Sequence, residues 1–238
     1  MGGAMLARWQ TLGVYDITIA TSNNQQPTTN NQSPDIIIFA VKPQTLADIL
    51  PEYKTRFGSS PLYISIAAGK TINLFAKHLG EDAKIIRAMP NTPALVGKAI
   101  TALCASENVS NDEKQTATKL MEAFGKALWI DEKNMDAVTA ISGSGPAYLF
   151  LFLESLTKAG ISVGLEEKIA KELAIATVHG SIHLAEKSTD NFETLRKNVT
   201  SKGGTTQAAL EVLMQENALE NLLEKAVKSA VNRAKELA

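Results

Sequence analysis

The chain has one cysteine, few aromatic residues and almost no net charge. Of its 238 residues 5% are aromatic, and 24 Lys and Arg against 25 Asp and Glu leave a formal net charge of -1. Because Cys104 has no partner for an internal disulfide, we expect a reducing, cytoplasmic setting. The balanced charge leaves no positive surplus for phosphates, which argues against a general nucleic-acid binder. No apolar run approaches the ~20 residues that cross a bilayer, so we expect no membrane span.

Common catalytic patterns are missing as well. The sequence shows no Ser-His-Asp set, no paired carboxylates and no Walker loop. His179 and His183 share a helix face at a metal-binding spacing, but no Glu of the metalloprotease pattern lies between them and no third ligand is evident. We therefore expect no metal, and interpret the pair as packing or solvated residues. Such a chain suits hydride transfer, in which a cofactor carries the difficult chemistry.

The first half alternates short β-rich runs with helical stretches, which predicts a doubly wound α/β, Rossmann-like domain. The unbroken apolar run at residues 36–41 fits a central parallel strand covered on both faces. The predicted strands are residues 17–20, 35–41, 62–67, 84–88, 100–105 and 127–130. The predicted helices are residues 3–12, 45–53, 72–79 and 111–124.

After Asp131 the β pattern ends and the chain is predicted to be all α-helical. The predicted helices are residues 148–159, 165–186, 206–215 and 219–237. The first of these is apolar on more than one side, so a partner subunit is expected to cover part of it. The predicted domains are residues 1–130, which bind a dinucleotide, and residues 131–238, which are helical.

Four segments that follow predicted strands or precede a helix are candidates for binding. Gly2 leads into the first helix, either as the end of a phosphate-binding turn or as an ordinary flexible N-terminus. Lys42 follows the most apolar strand, where it would meet a cofactor or anionic substrate, or would be a solvated turn residue. The small residues after Ile66 leave room for a flat group against the backbone. Asn91, between two prolines, would read a carboxamide or ribose, or would belong to a simple turn.

The densest polar signal lies at residues 195–206, where hydroxyl pairs flank two glycines before a helix. N–H groups of Gly203, Gly204 and Thr205 are expected to be free to receive a small carboxylate, with the Ser201 and Thr206 hydroxyls adding hydrogen bonds. A glycine turn with Thr capping is the alternative.

Four motifs together resemble the pyrroline-5-carboxylate reductase family. They are AVKP at residues 40–43, RAMPNTP at 87–93, SGSGPAY at 142–148 and NVTSKGGTT at 198–206. The resemblance runs from about Asp35 to Ala238. It implies hydride transfer from NAD(P)H to the C=N carbon of 1-pyrroline-5-carboxylate, giving L-proline, by a homodimer or a ring of dimers.

The resemblance also implies roles for individual residues. Thr206 would hydrogen-bond the ring nitrogen as the catalytic residue. The substrate carboxylate would be held by Ser201, Gly203, Gly204 and Thr205. The cofactor would be lined by Ala40, Val41, Lys42, Pro43, Ile66, Ala67, Ala68, Glu132 and Asn198. Gly2 would be the third glycine of the phosphate-binding turn.

Cofactor choice is argued separately, from the residues after the second predicted strand. NAD-preferring sites usually place an acidic residue there for the ribose 2′-hydroxyl. Here Thr21 and Ser22 follow, and their hydroxyls suit a 2′-phosphate, so NADPH is expected, with NADH as the alternative.

Two departures from the family pattern concern the cofactor half. The first strand and two glycines of the turn are absent before Gly2, and residues 21–34 replace a helix and a strand. We expect that the native chain carries residues that this sequence lacks. A catalytically silent dimeric scaffold and a reductase of another small imine or keto acid remain as alternatives.

Overall fold

The computed structural model describes residues 2–13, 15–21 and 33–237. Residues 22–32, and with them Ser22, lie outside the described part. The chain divides into two compact units. One contains the described residues up to Pro146 together with those from Ser229 onward, and the other is Ala147–Lys228.

The first unit alternates strands and helices, as predicted. Its elements in chain order are α1 (Gly2–Leu12), β1 (Ile36–Phe39), α2 (Leu46–Phe57), β2 (Leu62–Ser65), α3 (Ile72–Leu79), β3 (Lys84–Met89), β4 (Ala99–Ala105), α4 (Asn111–Glu122), β5 (Gly125–Trp129) and α5 (Met135–Val138). A π-helical turn, Thr139–Gly143, follows α5. The order in the sheet is β1-β2-β3-β4-β5.

Most neighbouring strands are parallel, and one pair is not. The pairs β1–β2, β2–β3 and β4–β5 are parallel, whereas β3–β4 is antiparallel. Only the short 3-10 turn Thr92–Val96 lies between β3 and β4. A parallel pair needs a long crossover, usually a helix, so this connection requires an antiparallel return.

Helices cover both faces of the sheet, which confirms the Rossmann-like fold class. Side chains of β1 and β2 alternate between two cores: in β2, Ile64 faces the core that contains Met5 and Phe124, while Tyr63 faces the core that contains Phe75. The first core is closed by α1 and α4 and the second by α2 and α3. This period-2 alternation is what a sheet between two helical layers requires.

Two strand predictions were wrong. Residues 17–20 form no strand among the described residues, and Thr21 makes only an isolated bridge. Ile17 packs partly against the first core, but Ile19 is exposed, so this short run is not fixed on both faces. The strand predicted as central, β1, pairs on one side only within the described sheet. Its apolar run reflects the helices above and below it, which do not determine a strand's place in the sheet.

The second half is helical, as predicted. Its helices are α6 (Gly145–Ser162), α7 (Glu167–Lys187), α8 (Phe192–Asn198), α9 (Thr205–Met214) and α10 (Ala218–Glu236). The short helix α8 was missed because residues 192–198 carry few apolar residues to mark a buried face. Pro146 is the second residue of α6, where its missing N–H costs little.

The α6 surface is strongly apolar and uncovered within the chain. Phe150 and Leu151 are 64% and 62% exposed. By length and composition, the helical stretch Glu132–Ser162 is apolar enough to cross a membrane, and few of its residues are buried in this chain. The expectation that no segment reaches this apolarity was therefore wrong, because short polar interruptions do not prevent a continuous apolar helix.

Candidate functional site

The carboxyl ends of β1, β2 and β3 meet at one edge of the sheet, and most of the predicted cofactor residues lie there. Ala40 follows β1, Ile66 follows β2 and Asn91 follows β3. The strands are parallel and adjacent, so this common edge follows from their topology. Open α/β sheets bind ligands beyond this edge.

Gly2, the first residue of α1, lies directly against the residue that follows β1. A Cβ atom built on Gly2 would stand 2.8 Å from the Ala40 Cβ, closer than a real side chain tolerates. This contact between Gly2 and Ala40 does not fit the alternative prediction, an ordinary flexible N-terminus. A glycine here lets the helix start, with its unpaired N–H groups, approach the sheet edge, which is the arrangement that a pyrophosphate requires.

Residues in the C-terminal half of α1 hold the helix in place. The Trp9 indole Nε1 donates to the Leu120 carbonyl oxygen at 2.9 Å, and the ring meets Phe124 edge-on with centroids 5.0 Å apart. Arg8 Nε donates to the Ala123 carbonyl oxygen at 3.0 Å. These contacts with α4 and the residues just after it fix the direction of α1, and so the position of its first turn.

The segments after β1 and β2 are short and well anchored. Lys42 is exposed and precedes a 3-10 turn that begins at Pro43. The Ile66 N–H donates to the Phe39 carbonyl oxygen at 3.1 Å, which extends the strand pairing by one bond. The Ala67 N–H donates to Ser65 Oγ at 3.2 Å, and Ala67 is buried.

Glu132 reaches the same edge through a bond to the start of α3 and an ion pair with β3. Its Oε1 accepts from the Ile72 N–H at 2.7 Å and from Arg87 Nη1 at 2.5 Å. The Arg87 side chain is 6% exposed and the Glu132 side chain 35%. The thiol of Cys104, opposite Arg87 in β4, is buried, and this burial raises its pKa to about 11 despite the opposing effect of Arg87. Cys104 is buried, as its apolar strand predicted, and its inertness stays a prediction.

Asn91 has a local partner. Its Oδ1 accepts from the Ile100 N–H at 3.1 Å, and the residue is 8% exposed. This bond ties the turn after β3 to the first residues of β4. Asn91 lies at the edge where the cofactor is predicted to bind, and its amide oxygen already accepts a backbone hydrogen bond.

The predicted substrate loop lies in the second unit, between α8 and α9. Gly203 has a φ of +72°, which favours glycine, and the Gly204 N–H donates to the Ser201 carbonyl oxygen at 3.1 Å. The Gly203 N–H donates to Gln207 Oε1 at 2.7 Å. The expectation that these two N–H groups are free was therefore wrong. Thr205 and Thr206 open α9, where backbone N–H groups lack helical partners.

Asn198 and Thr21 are two other residues predicted to bind the cofactor. Asn198 ends α8, and its Nδ2 lies 3.5 Å from Asp190 Oδ2. Thr21 is exposed at the end of the described segment 15–21. In the described ranges no group of three or more His, Cys, Asp or Glu side chains could hold a metal ion.

Sequence reasoning missed three residues that shape these sites. Arg87 was noted only as part of a motif, although a charged residue inside an apolar strand indicates a buried ion pair. Gln207 was overlooked, although a Gln three residues after a helix N-cap is a capping signal. Leu237, which packs against Gly69, carries no signal at all in the sequence.

Both halves of the chain are similar to known pyrroline-5-carboxylate reductases. Residues 132–237 match the family model for pyrroline-5-carboxylate reductase dimerisation. The pyrroline-5-carboxylate reductase of Pseudomonas aeruginosa is 37% identical over 227 residues, which cover 95% of this chain and 81% of that protein. The Arabidopsis thaliana enzyme is 38% identical over 203 residues, covering 85% and 73%.

Two solved structures are similar in fold and in sequence. Plasmodium falciparum pyrroline carboxylate reductase with NADP bound aligns with a TM-score of 0.85 and 33% identity, covering 100% of this chain and 94% of that one. The Coxiella burnetii pyrroline-5-carboxylate reductase aligns with a TM-score of 0.83 and 40% identity, covering 92% and 80%.

Proposed function

Because this chain belongs to the pyrroline-5-carboxylate reductase family, we propose that it reduces 1-pyrroline-5-carboxylate to L-proline with a hydride from NADPH, the last step of proline biosynthesis. The observation that carries the proposal is similarity across both the α/β half and the helical half. A scaffold that had kept only the helical half would not retain the packed edge at Gly2 and Ala40.

The residues at the sheet edge fit a dinucleotide. The close approach of Gly2 to Ala40 keeps the start of α1 open for a pyrophosphate, and the exposed Lys42, two residues after Ala40, would add a positive charge. In the proposal, Ala40, Val41 and Pro43 line the cofactor beyond β1, and Ile66, Ala67 and Ala68 line it beyond β2. Asn91, Glu132, Asn198, Thr21 and Ser22 complete the proposed set.

The substrate loop supplies donors for a small carboxylate. Helix α9 begins at Thr205, so its first N–H groups and the positive end of its dipole face the loop. We assign the substrate carboxylate to Ser201, Gly203, Gly204 and Thr205, and the ring nitrogen to the Thr206 hydroxyl. Because Gln207 and Ser201 accept the two glycine N–H groups in this conformation, the carboxylate would share or replace those bonds.

The proposed reaction needs few ionisable side chains. When bound, NADPH supplies the hydride to the electrophilic C=N carbon of the substrate. The protein's task is to align the ring, hold its nitrogen and keep water away, since holding the reacting groups in the right orientation lowers the barrier. The Thr206 hydroxyl suits this task because it both donates and accepts hydrogen bonds.

The helical half is a dimerisation domain, and we propose a homodimer, or a ring of such dimers, working in the cytoplasm. The exposed apolar side chains of α6 support this assembly, because a contiguous surface of this kind marks an interface. We also propose the division into residues 1–130, which bind the cofactor, and 131–238, which dimerise and bind the substrate.

To test the proposed function, NADPH oxidation is measured by absorbance with pyrroline-5-carboxylate as substrate. Wild-type protein should oxidise NADPH, and faster than NADH. Thr206→Ala should lose activity while it binds NADPH with unchanged affinity, because this hydroxyl touches only the substrate. Binding of NADPH without turnover in the wild type would favour a silent scaffold. Turnover only with another cyclic imine would favour the other reductase.

A further inference from the structure

We propose that Arg87 is a positioning residue for the cofactor site: through Glu132 it anchors residues 66–71, the segment that follows β2. The inference rests on the proposed function in one respect, namely that NADPH lies against this segment. Arg87 touches neither ligand, and it acts only through the carboxylate that it holds.

Arg87 is too deeply buried to reach a ligand itself. It is 5% exposed and lies within β3, next to the strand that precedes the segment. A buried guanidinium requires a partner that compensates its lost hydration. Glu132 is that partner, at 2.5 Å, and it is contributed by a part of the chain 45 residues away.

Glu132 connects the Arg87 side chain to the backbone at the start of α3. The same Oε1 that accepts from Arg87 accepts from the Ile72 N–H at 2.7 Å. Ile72 is the first residue of α3, so the carboxylate satisfies one of the N–H groups that a helix start leaves unpaired. Its negative charge also lies at the positive end of the helix dipole. Glu132 therefore fixes where α3 begins.

The segment of residues 66–71 is held at both ends. At its start, the Ile66 N–H donates to the Phe39 carbonyl oxygen at 3.1 Å. At its end, Thr71 caps α3 by accepting from the Leu74 N–H, and the next residue is bound by Glu132. Between these ends Ala67 is buried in the second core, so the end bonds add to a segment that already packs against the sheet.

This geometry gives Glu132 a positioning role in addition to its place in the proposed cofactor set. A side chain that only touched NADPH would not need Arg87. A side chain that positions the segment loses its hold when Arg87 is removed, although the carboxylate itself remains. Arg87 and Glu132 variants should then weaken NADPH binding alike.

The experiment measures the Kd of NADPH by fluorescence titration and the hydrogen exchange of the Ile72 amide in the full-length protein. Arg87→Met should raise the Kd at least about tenfold, since small displacements of a positioned group have large effects. It should also speed Ile72 exchange. Arg87→Lys keeps a charge but not the fork geometry, so it should restore part of both properties.

Lys84→Met is the matched control. Lys84 lies at the other end of β3 and pairs with Glu113 at 2.8 Å, so its loss removes an ion pair from the same strand but away from the cofactor edge. It should leave both the NADPH Kd and Ile72 exchange unchanged. An equal rise of the Kd in Lys84→Met would overturn the proposal, as would faster Ile72 exchange with an unchanged Kd in Arg87→Met.

If Arg87→Met does not fold, the double variant Arg87→Met/Glu132→Leu removes both charges and leaves neither unpaired. It should fold and still bind NADPH weakly; wild-type affinity in this variant would refute the anchor. Wild-type protein that binds NADPH but does not reduce pyrroline-5-carboxylate would overturn the proposed function alone and would leave the anchor supported.

Discussion

The backbone of Leu237, just beyond the end of α10, lies against Gly69 in the segment that follows β2. A Cβ atom on Gly69 would stand 3.1 Å from the carbonyl carbon, carbonyl oxygen and Cβ of Leu237. Gly69 has a φ of +77°, in the left-handed region that favours glycine. The last residues of the chain thus contact the segment that we assign to the cofactor.

Gly69→Ala should destabilise the protein and weaken NADPH binding, because the new methyl group would push the segment and Leu237 apart. Gly97→Ala is the control, since Gly97 has a similar φ of +69° in the left-handed region but nothing within 4 Å of its Cβ position. Both variants carry backbone strain of about 1 kcal/mol. Urea unfolding and NADPH titration should show a larger loss of stability for Gly69→Ala, and a loss of affinity for it alone. Similar results for both variants would mean that the Leu237 contact contributes nothing.

Gln207→Ala should raise the KM for pyrroline-5-carboxylate roughly two- to tenfold, which is the net worth of one hydrogen bond. Gln207 Oε1 holds the Gly203 N–H, and Gln207 Nε2 donates to Glu211 Oε1 at 2.9 Å, so the amide braces the glycine turn from α9. NADPH affinity should not change. Glu224→Ala, which breaks an exposed pair with Lys228 on α10, is the control. A lower KM in Gln207→Ala would show instead that the amide competes with the substrate.

Stability should fall in acid through Glu113. Burial raises the pKa of its carboxyl, but hydrogen bonds from Lys84 and Ser110 outweigh that effect and hold the pKa below its ordinary value of 4.5. A folded-state pKa below the unfolded one stabilises the fold above the unfolded value, and this contribution disappears as pH falls through the folded one.

Glu113→Gln should therefore be less stable than wild type near neutral pH, by about 1 kcal/mol or less for a surface pair. The difference should narrow below pH 4.5. Glutamine preserves the capping box with Ser110, so the substitution isolates the charge. Urea midpoints across this range provide the measurement, with Glu122→Gln at the end of the same helix as control. A difference that does not depend on pH would contradict the assignment.

Phe150→Glu should dissociate the assembly. Phe150 is 64% exposed on α6 and its neighbours Leu151 and Phe152 are exposed too, so a charge there would be desolvated in an interface. Light scattering after size-exclusion chromatography should show a smaller species. Lys158→Gln, on the same helix in an exposed pair with Glu154, should remain assembled. An unchanged mass for Phe150→Glu would place the interface elsewhere.

The fold class and the places of the loops could be predicted from local patterns. Apolar runs bounded by polar turns located β1, β2 and β3, and helix α3 has the predicted bounds Ile72–Leu79. The capped start at Ser110 is also a local signal, and the structure shows the full capping box there. The motifs could be identified because each one is a run of consecutive residues.

Pairing across the sheet and contacts between distant residues could not be predicted. Residues 17–20 have the composition of a strand and are not one, because a strand exists only when a neighbour accepts its hydrogen bonds. The edge position of β1 within the described sheet and the antiparallel β4 depend on connection lengths and on partners elsewhere in the chain.

By itself the sequence determined an alternating α/β half, a helical half and a glycine-rich loop before a helix, since periodicity and turn residues act over a few positions. Only the tertiary structure decided that Gly2 packs against Ala40, that Gln207 holds the Gly203 N–H and that Glu132 joins Arg87 to the start of α3. The pairs at Gly2 and at Glu132 join residues far apart in the chain, which meet only when the sheet and its helical layers have packed. The bond from Gly203 spans four residues and depends on the glycine turn that closes before α9.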